Sequence, residues 1–510
     1  MNLLKRIFGS SEPEITKQKK VYSQRSFLAG LHDRLTNDWS EVRSLNISIR
    51  DGLDTLRARS RDLAINNEYA RRYYKLIKAN IVGPDGVQVS VQAKNADGSP
   101  DLFSDVIELA FWDWATKPEH CSVNGKLDFS KIQEILIETI ARDGEALVWF
   151  RRGPQFGKYA FQLQLIDIDH LDHNYSADLN NGNRIVQGVE LDGFEKPVAY
   201  WIWQKNPNEN IAHMGNKRIR VSADDLKHIF DPERASQVRG FPWTCASMLS
   251  LQHITKFREA TLVSARMAAN KATYYTQTEQ EGFDDGGDDA TDDYRRDLAI
   301  NGSLTFDSTP GSQEILPANW GVQTVEFTAP TEQLGEFQKN VLKGAAAGLG
   351  ISYNSLACDL ESVNYSSARF GALEDQALYR SMQRFFINSF IRPVYESWLE
   401  MQLLTARWSI PVSKFDKFAN VQYRPRSWQS VDPVKDTNAD RLKLEAGLTS
   451  WSDVIAKSGR DPDEVFSQIA KDKEKMASLG ITPAFLNEQL TAQGFTEDEA
   501  SGMNKKPAQD

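Results

Sequence analysis

Apolar positions along the first part of the chain fall three or four apart before they fall two apart. From Gly52 to Ile81, Leu53, Leu56, Leu63, Tyr69, Tyr73, Ile77 and Ile81 alternate with Arg57, Arg59, Arg61, Arg71, Arg72, Lys75 and Lys78. That spacing predicts one helix with a core-facing stripe. Gly83-Pro84-Asp85-Gly86 ends it, and Val87–Gln92 alternates like a half-buried strand. Further helices are predicted over Leu102–Ala115 and Phe129–Arg142, with Gly144 as the C-cap before a strand at Ala146–Arg151. Phe161–Ile168, Arg184–Leu191 and Val198–Trp203 carry strand patterns as well. Residues 50–235 thus form one mixed α/β unit, preceded by a polar, irregular arm over 1–50.

The pattern changes at Gly240-Phe241-Pro242. From Trp243 to about Lys271 there is no Gly or Pro, and Leu251, Ile254, Phe257, Thr261, Ala265, Ala268 and Ala272 step along one helix face. At about 1.5 Å per residue this is a rod of roughly 43 Å. Its later half presents small side chains, so another helix can approach closely. A second slim helix opens at Pro330 with Leu334, Phe337, Val341, Ala345 and Leu349 on one face, and Gly344-Ala345-Ala346-Ala347-Gly348 within it. Between the two lies Glu279–Asp293, with Asp284, Asp285, Asp288, Asp289, Asp292 and Asp293, a composition that buries no apolar area and predicts an exposed loop. Short strands are expected at Ser303–Phe306 and Val322–Phe327. After a loop over Ile351–Val363, Asn364 is a good N-cap for a long helix to about Leu404, kinked at Pro393. Helical pieces rich in Lys, Glu and Ala follow from Asp436.

Composition narrows the class. With 510 residues, 40% hydrophobic and 25% charged, the chain suits a soluble protein of several domains. Charges break every apolar run before 18 residues, so no transmembrane helix is predicted, and the N-terminus has no signal-peptide pattern. Cys121, Cys245 and Cys358 are too far apart for a disulfide framework or a CxxC metal pair, which suits synthesis in a reducing cytoplasm. Net charge is −10, unevenly spread: residues 1–80 hold 16 Lys and Arg against 9 Asp and Glu, and the rest 44 against 61. Residues 273–330 alone hold 12 acids against Arg295 and Arg296. Tight, non-specific DNA binding needs Lys and Arg against phosphate, so any DNA contact here should be loose.

Several residues bear chemistry of their own. Asp167-Ile168-Asp169-His170-Leu171-Asp172-His173 could supply metal ligands, but a strand end followed by a polar turn is the simpler reading, since no HExxH or second His cluster completes a site. Asp143 and Glu145 could be a catalytic acid pair; flanking Gly144 at a helix-to-strand turn, they are better taken as structural. Neither a GxxxxGK[ST] phosphate loop nor a GxSxG elbow is present, so ATP hydrolysis by this chain is not expected. The Arg-rich face of residues 57–78 suits solvent or a neighbouring subunit better than DNA. The Asp cluster at 284–293 lacks the spacing and terminal Glu of a calcium loop and suits a solvated loop. No cofactor is called for.

Eight stretches, taken in order, resemble the lambda-type phage portal proteins of the head–tail connector family. They are Arg57-Ala58-Arg59-Ser60-Arg61-Asp62-Leu63-Ala64 with Asn67-Glu68-Tyr69-Ala70-Arg71-Arg72, then Ile81-Val82-Gly83, Asp143-Gly144-Glu145, Leu163-Gln164-Leu165-Ile166-Asp167, Arg239-Gly240-Phe241-Pro242-Trp243, Gly348-Leu349-Gly350-Ile351-Ser352-Tyr353 and Asn364-Tyr365-Ser366-Ser367-Ala368-Arg369. Each is weak singly, but their order and spacing over roughly residues 50–400 are specific. The resemblance implies an α+β portal fold: an N-terminal arm (1–50), an α/β wing (51–242) completed by 405–440, stem helices at 243–272 and 330–350, and a small α/β clip at 273–329. A tunnel loop (351–363), a long kinked helix (364–404) and a helical crown and tail (441–510) finish it.

It also implies a non-enzymatic ring of twelve at one capsid vertex of the virion, assembled in the host cytoplasm, that lets double-stranded DNA pass in packaging and ejection. Expected partners are further copies of the chain, the terminase large subunit, head-completion and tail adaptors, and the major capsid and scaffold proteins; no membrane is involved. Asp359, Glu361, Ser362 and Asn364 become candidates for the channel. Asp284, Asp285, Asp288, Asp289, Asp292 and Asp293 become candidates for motor and adaptor docking, and Ala265, Ala268, Ala272, Gly344 and Ala345 for stem packing. Two other readings are a metal-dependent packaging nuclease, which needs carboxylates on rigid elements, and another head-assembly protein; adaptors are usually much shorter than this chain.

Overall fold

The computed structural model describes residues 43–95, 97, 99, 101–209, 216–269, 273–277, 320–324, 332–359, 361, 365–428, 433–458, 460 and 462–479. Its helices are α1 (Leu45–Asn66), α2 (Glu68–Ile81), α3 (Phe103–Thr116), α4 (Pro118–Cys121), α5 (Phe129–Asp143), α6 (Met248–Ala269), α7 (Glu332–Leu349), α8 (Tyr353–Ala357), α9 (Tyr365–Phe386), α10 (Arg392–Leu404), α11 (Phe415–Ala419), α12 (Pro433–Glu445), α13 (Trp451–Lys457) and α14 (Pro462–Ser478). Four antiparallel sheets accompany them, so the chain is α+β. One has the order β3 (Phe161–Ile166), β2 (Glu145–Arg152), β9 (Leu226–Phe230). The second runs β4 (Ala177–Asp178), β5 (Arg184–Val186), β6 (Val189–Leu191), β7 (Pro197–Trp203), β8 (Arg218–Ser222). Two ribbons pair β1 (Gln88–Ser90) with β12 (Gln422–Arg424), and β10 (Thr273–Gln277) with β11 (Trp320–Thr324).

β2 is the seam between two cores, because successive side chains of a strand point to opposite faces. Ala146, Val148 and Phe150 enter the larger core with Phe111, Trp114, Phe129, Phe390, Tyr395 and Trp398 from the helices. Leu147 enters the smaller core with Val189, Leu191, Tyr200, Ile202 and Val221 from the five-stranded sheet.

Several elements depart from the sequence pattern. The helix expected over 52–81 begins at Leu45, inside the segment taken as an arm, and breaks at Asn67, whose backbone is extended (φ −108°, ψ 122°). Asn67 Oδ1 accepts from Ala70 N at 2.8 Å, while its Nδ2 donates to Thr255 Oγ1 at 2.8 Å. A capping side chain with a tertiary partner thus outweighs the helical periodicity on either side. The strand expected over 184–191 is a hairpin: Gln187 and Gly188 both take positive φ (52° and 84°), as the tightest β-turns require. β4, β8, β9, β10 and β12 have no counterpart in the sequence pattern.

The first slim helix is shorter than expected, because Cys245–Ser247 is a 3₁₀ turn; 22 residues give a rod of about 33 Å. The second slim helix starts at Glu332. Residues 353–357, expected as loop, form α8 behind the N-cap of Ser352. The long helix is interrupted by a π-turn at Ile387–Ile391, and Pro393 then sits in the first turn of α10, where its missing N–H costs nothing. Residues 1–42, Ser303–Phe306 and the acidic positions 284–293 lie outside the described residues.

Candidate functional site: the projecting helix pair and the joint at its root

The root of α6 is fixed by a buried charge cluster. Glu145 opens β2 and is 0% exposed. Its carboxylate accepts from Arg239 Nη2 at 2.6 Å, His228 Nε2 at 2.6 Å, Gly240 N at 2.8 Å and Arg57. Burial alone would raise the Glu145 carboxyl, but Arg239, His228 and Arg57 hold it well below the usual range. Burial in turn keeps His228 below its ordinary value, against the pull of Glu145. Next to it, Asp143 accepts from Arg61 Nε and Arg142 Nη2, each at 2.8 Å, and Arg61 continues to Asp169 at 2.7 Å.

Gly144 (φ 89°) caps α5 between the two acids. A Cβ on it would run into the Phe241 backbone, and one on Gly240 would meet the Gly144 carbonyl, so the two chain segments cross in direct backbone contact. Trp243 N donates to Ala141 O at 3.0 Å, and Thr244 Oγ1 lies 3.2 Å from both Ser60 Oγ and Tyr74 Oη.

From that root α6 and α7 lie side by side. Met248, Leu251 and Ile254 of α6 and Leu342, Ala345, Ala346 and Leu349 of α7 are buried. Ser247 Oγ donates to Ala345 O at 2.8 Å, and a Cβ on Gly348 would strike Ser247 Oγ. Beyond Arg258 and Gln338, which still bond to Glu68 and Tyr69 of α2, the pair projects. No residue from Thr255 to Arg266, or from Gly335 to Val341, is buried. Phe257 and Phe337 meet at 5.4 Å between ring centroids, yet Phe337 is 55% exposed and Leu262 60%. The β10–β11 ribbon follows α6 and precedes α7.

At the other end of α7 the chain turns through Gly350 (φ 71°) into α8. The buried Asp375 of α9 accepts from Ser352 N at 2.7 Å, Ser352 Oγ at 2.9 Å and Ser355 Oγ at 2.6 Å. Arg72 Nε donates to Ser355 O at 2.9 Å.

The residues singled out from sequence are dispersed. Asp359 pairs with Lys339 at 3.1 Å and accepts from Tyr353 Oη at 3.0 Å, contacts that hold its carboxyl below the usual range. Glu361 is exposed, and Ser362 and Asn364 lie outside the described residues. Ala265 is exposed, Ala268 lies on α6, and Ala272 falls outside. Gly344 has open space where a side chain would stand, whereas Ala345 packs within its own chain. Asp284, Asp285, Asp288, Asp289, Asp292 and Asp293 fall outside.

Arg57 corrects the solvated-face reading of the Arg-rich helix. It is 3% exposed and turned onto Glu145, because an acid in the core needs a cation beside it. The acids of 167–173 are taken by cations: Asp169 by Arg61, Asp172 by Arg218 at 2.5 Å; His173 lies 3.2 Å from Asp54. In the sequence Arg239 stands out only within the Arg239–Trp243 motif, which does not disclose its role, and His228 carries no signal, since β9 has no clear alternation to announce it.

Residues 32–383 match the family described as phage portal protein, lambda family. A probable portal protein of Halomonas phage phiHAP-1 is 34% identical over 496 residues, covering 96% of this chain and 94% of that one. Portal protein B of Escherichia phage lambda is 22% identical over 480 residues, 84% of each. Among solved structures, an HK97 family phage portal protein from Corynebacterium diphtheriae aligns with 75% of this chain and 98% of its own, at 12% identity and a TM-score of 0.31. On the family match and the coverage of these relatives, the chain belongs to the lambda family of phage portal proteins, structural head–tail connectors and not enzymes.

Proposed function

We propose that twelve copies close into a ring at one capsid vertex, through which double-stranded DNA enters during packaging and leaves during ejection. The observation that carries this is the projecting pair α6–α7. From Thr255 to Arg266 and from Gly335 to Val341 it has no fully buried residue and exposes Leu262, Val263 and Phe337, so neighbours are needed to cover it. Contacts between identical chains that are not self-complementary repeat, and they close into a ring where the rotation between copies allows it.

In this reading α6 and α7 are the stem, and residues 273–329, with the acidic positions 284–293, are the clip that docks the terminase large subunit and later the head-completion and tail adaptors. Residues 51–242 are the wing, and the pairing of β12 with β1 supports adding 405–440 to it. Residues 351–363 form a tunnel loop around α8, the helix from 364 to 404 backs it, and 441–510 form the crown. Major capsid and scaffold proteins surround the ring, which assembles in the host cytoplasm. An acidic chain gives duplex phosphates few partners, so the DNA slides instead of being held.

Electron microscopy of purified protein tests this directly. Rings with a central hole are expected, and a chain that stays monomeric at every concentration overturns the reading. Deleting residues 282–293 should leave rings intact while weakening motor docking; loss of rings would refute the clip assignment.

A further inference from the structure

Between α1 and α6 runs a groove of 470 Å³. Leu63, Met248 and Leu249 form its apolar floor, with Leu249 61% exposed; Arg59, His253 and Lys256 stand on its rim. The one rim acid, Asp62, already accepts from Asn66 Nδ2 at 2.6 Å. Arg59 and Lys256 are exposed and have no ion-pair partner among the described residues. The groove is therefore apolar at its base and positive at its edge.

A complementary surface lies on α9. Phe370 (66% exposed), Leu373 (53% exposed), Glu374 and Ala377 fall three or four apart on its outer face. Glu374 also has no ion-pair partner among the described residues.

One copy does not bring these surfaces together. α1 packs on α2 and on α6, and α6 on α7. α8 packs on α7 and α2, and α9 on α2. Tyr74 of α2 meets Ser60 of α1, whereas the Asn80 backbone carbonyl, near the end of the same helix, accepts from the Gln383 amide of α9. Phe370 and Leu373 on the one surface and Leu249 on the other all stay exposed, so the two surfaces do not cover each other within one copy.

We propose that the groove between α1 and α6 receives the Phe370–Leu373–Glu374 face of α9 from the next copy, with Glu374 set against Arg59 and Lys256. The inference rests on the ring reading above and names the surfaces that make it. Two different surfaces give a head-to-tail contact, which leaves one of each open on a pair of copies and so propagates around a ring. Apolar anchors with an opposite-charge rim also fix the partner and its register.

The test places single cysteines at two exposed positions, Glu374→Cys and Lys256→Cys, in a Cys358→Ser background that removes the exposed native thiol. A short bis-maleimide is added to the full-length protein, and the same samples are imaged by electron microscopy. A chain with both cysteines should give a ladder of covalent multimers up to the whole ring. An equimolar mixture of the two single variants should stop at dimers, and each single variant alone should give none. Rings that form without a ladder overturn this contact but leave the ring reading standing; absence of rings overturns both. Charge reversal gives a second arm: Glu374→Lys should slow assembly roughly tenfold at low salt, and adding Lys256→Glu should recover most of it. A pair of reversals that slows assembly additively counts against the contact.

Discussion

Replacing Glu145 with Gln keeps the side chain's size and removes its charge. The carboxylate is completely buried and accepts from two arginines, one histidine and a backbone amide. A Gln leaves the Arg57 and Arg239 guanidinium groups, 3% and 0% exposed, without their common counter-ion. Breaking a buried pair from one side costs about 3–5 kcal/mol, roughly two to four powers of ten in the folding equilibrium. In a unit of this size each kcal/mol lowers the melting temperature by about 2–4 °C, so a loss of about 6–20 °C is expected. Thermal unfolding followed by circular dichroism, at one fixed protein concentration because assembly adds to apparent stability, measures it. A variant melting within about 2 °C of the parent would refute the argument, since it would mean that the two cations are neutralised elsewhere. Replacing Arg239 with Met in the same chain should restore part of the loss, as removal of a whole buried pair costs far less than removal of half.

Other consequences can be checked as directly. Gly144→Val combines a left-handed φ with a clash against the Phe241 backbone, so soluble yield should collapse; normal yield and melting would show that the crossing can open. Both Glu145 and His228 titrate lower in the folded chain than their ordinary 4.5 and 6.5, so their stabilisation is complete at neutral pH and drains as pH falls, from about 6.5 for His228 and about 4.5 for Glu145. Melting temperature should therefore fall on acidification below about 6.5, and a rise towards pH 5 would contradict the assignment. Asp375→Asn weakens the bonds to Ser352 and Ser355, so amide exchange across 352–357 should speed up by roughly tenfold or more, while exchange in β2 stays unchanged. Asn67→Ala removes the cap at the α1–α2 break and its tie to Thr255, at a cost of about 1–2 kcal/mol by the same melt.

How far the sequence disclosed the structure depended on whether a feature is local. Apolar spacing placed α3, α5, α6 and α7 to within a few residues, and Gly144 announced the end of α5, because a helix stripe and a left-handed cap are written in neighbouring positions. Asn67 and Gln187 were missed for the opposite reason. Their backbones are set by partners far along the chain: Thr255 for Asn67, and for Gln187 the Arg239 donor on its carbonyl and the Asn46 carbonyl its amide reaches. Arg57 misled most, since nothing adjacent distinguishes it from Arg59 on the same helix; one meets Glu145, 88 positions away, and the other meets solvent. The channel candidates gained little definition, as Asp359 is held by Lys339 and Tyr353 of its own chain.

The crossing of Gly144 over Gly240 and Phe241 also governs how precisely a closed assembly can be built. With no side chain between the two chain segments, the angle at which α6 leaves the α/β body has no soft spacer to flex. In any circular arrangement an angular error in one copy is repeated in every other, so a joint loose by a few degrees would turn closure into a spiral. Two glycines in contact remove that tolerance at its source, and the buried ions alongside lock the setting.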